Sequence, residues 1–228
     1  MKKRSFSTRV LAEIAIFAAI GFALDALQGG IFKGVWAAGG SIGFAMVPVF
    51  IVAYRRGLIP GVLCGLVLSV VQMLGGIYVI NGSGNLGAFG PFLQVMLDYV
   101  LAYTVVGLAG AFSGLFKKEK SMGKKILWIV VGTVIGGLLK YACHVLAGGL
   151  FWLGDGSDSF WSVADDSWLY SFVYNGTYSI PNIVICTGIM VLVARFYPMF
   201  LEPDKADEND ITEEIEVKEV QNNEEDTK

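Results

Sequence analysis

Apolar residues fall along this chain in long runs, without the alternation of a half-buried strand or the one-sided stripe of a surface helix. The runs cover about residues 9–28, 41–54, 58–80, 91–116, 126–150 and 168–200. Most reach the ~20 residues that an α-helix needs to cross a bilayer. The pattern therefore predicts an all-α integral membrane protein of six transmembrane helices, the second of them short. Arg55, Arg56 and Gly57 separate the second run from the third, which predicts a tight polar turn between two antiparallel helices at a membrane face.

Basic residues orient the bundle, because loops rich in Lys and Arg stay in the cytoplasm. Lys2, Lys3, Arg4 and Arg9 place the N-terminus inside. Counting helices forward, the next inside loops hold Arg55 and Arg56, then Lys117, Lys118, Lys120, Lys124 and Lys125. The intervening loops, around 29–40, 78–90 and 151–167, carry Lys33 as their one basic residue, and the last carries Asp155, Asp158, Asp165 and Asp166. Six spans return the C-terminus to the cytoplasm, with both termini inside. Residues 1–200 form the six-helix transmembrane domain. Residues 201–228 form an acidic cytoplasmic tail with too little to bury for a fold of its own. The first run is long for a signal-peptide core and no cleavage site follows it, so it stays as the first membrane helix.

Composition agrees with a membrane home. Of 228 residues, 54% are hydrophobic and 16% charged, against roughly 25% charged in a soluble domain. Glycine takes 29 positions, nearly twice the usual ~7%, which suits helix backbones that approach closely in lipid. The net charge of −3 averages basic loops with an acidic tail, and nothing supports nucleic-acid binding. Cys64, Cys143 and Cys186 stand singly in apolar segments, with no metal-ligand spacing, and read as small buried residues. No metal, cofactor or ATP-binding motif is present, and no internal repeat of the kind that builds many secondary transporters is evident.

Polar side chains inside a span are costly and mark functional sites. Those that stand out are Asp98 in the fourth helix and Lys140 with His144 in the fifth, with Gln72 and Gln94 as milder cases. Lys140, His144, Gly148 and Trp152 recur every four residues, so they share one helix face. His144, Gly148 and Trp152 occupy the outer half of that helix, and Asp98 and Tyr99 lie near the outer end of theirs. Tyr170, Tyr174, Asn175 and Tyr178 open the sixth helix at the same depth, and Trp36, in a glycine-rich outer loop, can close from above. An aromatic box with one carboxylate and one imidazole wants a flat cation, since aromatic faces and a poorly solvated carboxylate both attract positive charge. Each residue also has a plainer role. The Trp and Tyr residues suit a membrane interface, Asp98 could pair with Lys140, and His144 could be a satisfied core histidine.

The segments WAAGGSIGFAMVPVF, YRRGLIPGVLCG, LDYVLAY, KYACHVLAGGLFW and YSFVYNGTYSIPN, in that order, resemble the ThiT family, the thiamine-specific S components of energy-coupling factor (ECF) transporters, over about residues 8–200. The resemblance implies an outward-facing thiamine pocket formed by Trp36, Asp98, Tyr99, Lys140, His144, Gly148, Trp152, Tyr170 and Asn175, to which the residue reading adds Tyr174. Where the family pattern usually has glutamate this chain has Asp98, one methylene shorter. The resemblance further implies that Ala15 and Ala19, with Ala23 one turn on, dock on a shared transmembrane coupling subunit, and that two ATPase subunits supply the energy. It implies no catalysis and a multi-pass place in a prokaryotic plasma membrane. A polytopic enzyme and a stand-alone facilitator remain the alternatives. One histidine and no HExxH or GxSxG motif supply the first poorly.

Overall fold

The computed structural model describes residues 7–32, 35–36, 39–77, 79, 89–151 and 167–203. Among these residues the chain forms six principal helices and no strand: α1 Thr8–Ile31, α2 Val47–Arg56, α3 Leu58–Met73, α4 Phe89–Lys118, α5 Met122–Phe151 and α6 Ser167–Phe196. Four of them, α1, α4, α5 and α6, are long and apolar enough to cross a membrane. With 16 residues α3 is shorter, and α2 has 10, a length of about 15 Å at 1.5 Å per residue.

Each long helix turns a narrow stripe inward and leaves its other faces apolar. On α1 the buried residues are Val10, Ile14, Ala18, Gly21 and Gln28, spaced three, four or seven apart as one helix face requires. Leu11, Ile16, Ile20, Leu27 and Ile31 on its other sides are exposed. A helix that is apolar all round but buried on one stripe has lipid as its second partner.

Small residues set the closest approaches. A Cβ on Gly107 of α4 would lie 2.3 Å from the Gly61 backbone of α3, and one on Gly110 would lie 2.7 Å from Gly57, so glycine is what lets these two helices touch. Gly57 itself has φ +93°, a left-handed conformation natural to glycine, and it makes the turn between α2 and α3 that the sequence placed there. Cys64, Cys143 and Cys186 are free and buried.

Three run boundaries differ from the hydrophobic pattern. The second run begins its helix at Val47 rather than 41 because the preceding backbone is held in non-helical hydrogen bonds: Gly43 N–H donates to Asn182 (2.6 Å), Asn182 donates to Ser41 O (2.8 Å), and Phe44 N–H donates to Gln28 Oε1 (3.0 Å). The third helix stops at Met73, before Gly75 and Gly76. The sixth stops at Phe196, and Pro198 starts a 3-10 turn over Pro198–Phe200. Beyond it Leu201 is buried and Glu202 pairs with Lys125, so these first two residues after position 200 are held by the bundle.

The two ends of the bundle differ in kind. At one end Arg56 grips Glu13 with Nε and Nη2, both at 2.6 Å, and Arg55 Nε adds a third bond at 3.3 Å. Arg55 Nη1 also donates to the carbonyls of Met199 and Glu202, and Lys117 Nζ donates to the carbonyl of Arg55. By the positive-inside rule this basic end is cytoplasmic. The other end, facing outward, contains a cavity.

Candidate functional site

The cavity has a volume of about 530 Å³, within the range of small-molecule sites. All helices but α2 contribute to it, together with the α1–α2 connection. Nine of the ten binding residues expected from the sequence line it: Trp36, Asp98, Tyr99, Lys140, His144, Gly148, Tyr170, Tyr174 and Asn175. The tenth, Trp152, lies outside the described residues, as does Lys33.

Asp98 and Tyr99 sit on a π-helical turn, Met96–Leu101, within α4. Such a turn inserts one extra residue into the helical ladder and re-aims its side chains, and it recurs at functional sites. Opposite, Lys140 and His144 lie one helical turn apart on α5. Lys140 Nζ is 2.9 Å from His144 Nε2, and His144 Nδ1 is 3.3 Å from Asp98 Oδ1. An ammonium has only hydrogens to offer, so Nε2 accepts, Nδ1–H donates to the carboxylate, and the imidazole between them is neutral. Asp98 is thus linked to Lys140 through His144. Lys140 Nζ also lies 4.4 Å from the centre of the Tyr103 ring, a cation–π contact.

Aromatic residues from α6 make the opposite wall. Tyr170 and Tyr174 stack with centroids 5.5 Å apart, and Tyr178 meets Tyr174, Trp36 and His144 edge-on at 6.3, 5.9 and 6.3 Å. Trp36 is buried and its indole N–H donates to Thr177 Oγ1 at 2.7 Å, while the Tyr174 hydroxyl donates to Gly39 O at 3.0 Å. These bonds strap the α1–α2 connection to α6 beside the cavity. Pro181 within α6 lacks the N–H that would bond to the Thr177 carbonyl, and it falls between the cavity residues Tyr178 and Asn182. Asn175 is fixed by donating to Ser171 O (2.9 Å), Ser171 Oγ (3.1 Å) and His144 O (3.3 Å), and it accepts the Tyr178 hydroxyl. Gly148 makes this junction possible, since a Cβ there would come within 2.1 Å of Ser171 Oγ.

The structure adds lining residues that the sequence reading passed over: Asp25, Gln28, Tyr103 and Asn182. Asp25 accepts hydrogen bonds from Tyr103 Oη and Gln28 Nε2, each at 2.9 Å. The rule that flagged Asp98 applies equally to Asp25, a carboxylate within an apolar run. The sequence reading did not single it out. Ala15, Ala19 and Ala23 are all exposed on the outer side of α1, away from the bundle.

A lipid-facing helical bundle with a polar and aromatic cavity at one end defines a multi-pass membrane protein whose cavity has the size of a small organic molecule. The chain belongs to the thiamine transporter protein family (Thia_YuaJ), which it matches over residues 11–202. It is 35% identical over 199 residues to thiamine transporter ThiT of Bacillus subtilis, covering 86% of this chain and 95% of that one. It is 29% identical over 191 residues to thiamine transporter ThiT of Lacticaseibacillus paracasei, covering 81% and 88%. A solved structure of ThiT from Listeria monocytogenes superposes with a TM-score of 0.70 at 26% identity, covering 85% of this chain and 97% of the other. The chain is a multi-pass plasma-membrane protein of this family.

Proposed function

We propose that this protein is the thiamine-binding S component of an ECF-type importer, capturing thiamine in the outward cavity and delivering it with a coupling subunit and two ATPases. One observation carries the reading: the Asp98–His144–Lys140 chain faces a wall of Trp36, Tyr170, Tyr174 and Tyr178 across a cavity of about 530 Å³. Thiamine combines a flat thiazolium cation with an aminopyrimidine. Tyrosine and tryptophan faces suit the first, while Asn175 and the tyrosine hydroxyls supply directional partners for the second. The relatives' names, all thiamine transporters, support transport over catalysis.

The partner half of the proposal rests on the outer face of α1. Ala15, Ala19 and Ala23 are exposed one turn apart among lipid-facing Leu11, Ile16, Ile20 and Leu27, a flat strip against which another helix can pack closely.

Titrating detergent-purified protein with thiamine and following Trp fluorescence tests the ligand, with saturable quenching expected; no response overturns the assignment. Ala19→Leu tests the docking strip. Thiamine affinity of the isolated protein should stay unchanged while co-purification with the coupling subunit is lost, and a variant that assembles normally removes α1 from the interface.

A further inference from the structure

We infer that Asp25, and not Asp98 alone, gives the cavity its preference for a cation. Within the thiamine reading on which this rests, Asp25 is the residue that discriminates charged from neutral ligands. The argument is a balance of charge among the described lining residues. They include two carboxylates, Asp25 and Asp98, one ammonium, Lys140, and His144, whose bonding leaves it neutral. Asp98 is tied to Lys140 through His144, a carboxylate–imidazole–ammonium chain with no net charge. A site built from that chain alone would offer a cation little more than a neutral molecule of the same shape.

Asp25 is a second carboxylate beside this chain, and its charge acts on Lys140 as that of Asp98 does. Its hydrogen bonds come from the Tyr103 hydroxyl and the Gln28 amide, donors that carry no charge. Both donate to the same oxygen, Oδ1. Tyr103 links the two halves of the site, since its hydroxyl holds Asp25 and its ring lies under Lys140 Nζ. The described lining therefore carries one negative charge in excess, which a monocation cancels.

A unit charge within about 12 Å at an effective dielectric of ~20 changes a cation's affinity by about tenfold or more. A cavity of this volume, about 10 Å across if round, keeps any ligand inside that distance. The test compares thiamine with its neutral isostere, in which a thiophene replaces the thiazolium, by titration calorimetry on the full chain in detergent. In Asp25→Asn, thiamine should weaken about tenfold or more while the neutral isostere changes by less than about twofold. Lys140→Gln keeps a donor for His144 Nε2 and removes the ammonium, so it should raise the thiamine-to-isostere preference, a shift of opposite sign that holds even if Asp25→Asn folds poorly. Equal weakening of both ligands in Asp25→Asn would make Asp25 a structural anchor for Gln28 and Tyr103 and overturn the inference, as would unchanged thiamine affinity or an unshifted preference in Lys140→Gln. Wild-type protein indifferent to thiamine would instead overturn the thiamine reading itself, before any variant is compared.

Discussion

Helix α1 carries two acids, Glu13 and Asp25, twelve residues and so about 18 Å apart, and they live in opposite chemistries. Glu13, at the cytoplasmic end, is held by both Arg55 and Arg56, the latter through two short bonds. Asp25, beside the outward cavity, is held by a phenol and an amide. The same contrast runs through each end as a whole. Near Glu13, guanidinium and ammonium groups are absorbed by carboxylates and backbone carbonyls, tying α1, α2, α4 and α5 to the turn after α6. Near Asp25, polar groups are hydrogen-bonded to one another and still line a cavity. Charge spent on tying elements together is structural, and charge that lines the cavity is available to a ligand.

The strongest way to break this contrast is at Asp98. Asp98→Asn keeps shape but removes the carboxylate that His144 addresses, and truncating one member of a buried charged network typically costs 2–5 kcal/mol of binding. Thiamine affinity should fall about 100-fold, read by fluorescence titration, a far larger effect on binding than a change at Glu13 should have. A loss of stability with intact affinity would place Asp98 in the class of Glu13.

Glu13→Gln is the complementary experiment. The Arg56 side chain is 5% exposed and that of Glu13 18%, so removing the carboxylate's charge takes from two guanidiniums the anion that they share. A destabilisation of roughly 2 kcal/mol is expected, at the modest end of buried-pair values because the network borders water. Unfolding in detergent should report it, and thiamine affinity should move by less than about twofold given the separation of the sites. A large affinity change would show that the two ends are coupled.

How much of this was legible in the sequence follows from what each residue's signal depends on. Helix number and orientation were legible because lipid imposes length and apolarity residue by residue and the basic loops are local features. Lys140, His144 and Gly148 were legible because a four-residue spacing on a regular helix fixes a face. The start of α2 was not, since residues 41–46 are as apolar as a helix but their backbone bonds go to Asn182 and Gln28, about 140 residues downstream and about 15 upstream. The π turn under Asp98 has no compositional mark. Asp25 carries the same signal as Asp98, a carboxylate within an apolar run, but sits three residues from the end of that run, and only the neighbouring helix that holds it shows its place in the cavity.

The finest test of the contrast removes a single hydroxyl at each end. Thr177→Val preserves volume but takes away the acceptor of the Trp36 indole N–H, one bond that straps the α1–α2 connection to α6 beside the cavity, along with the hydroxyl's own local bond to Tyr174 O. A net hydrogen bond of about 1 kcal/mol corresponds to about fivefold in affinity. The change should appear in the thiamine dissociation rate, measured by stopped-flow fluorescence, because contact changes of this size act mostly on dissociation. Tyr54→Phe is the matching loss at the other end: its hydroxyl donates to the carbonyls of Trp128 (2.6 Å) and Ile129 (3.2 Å) inside the core. That variant should lose stability by a similar amount and leave the dissociation rate alone. Equal effects of the two variants on dissociation would mean that release is governed by the rigidity of the whole bundle, whereas an effect confined to Thr177→Val places the gate in the contacts between Trp36, Gly39 and α6.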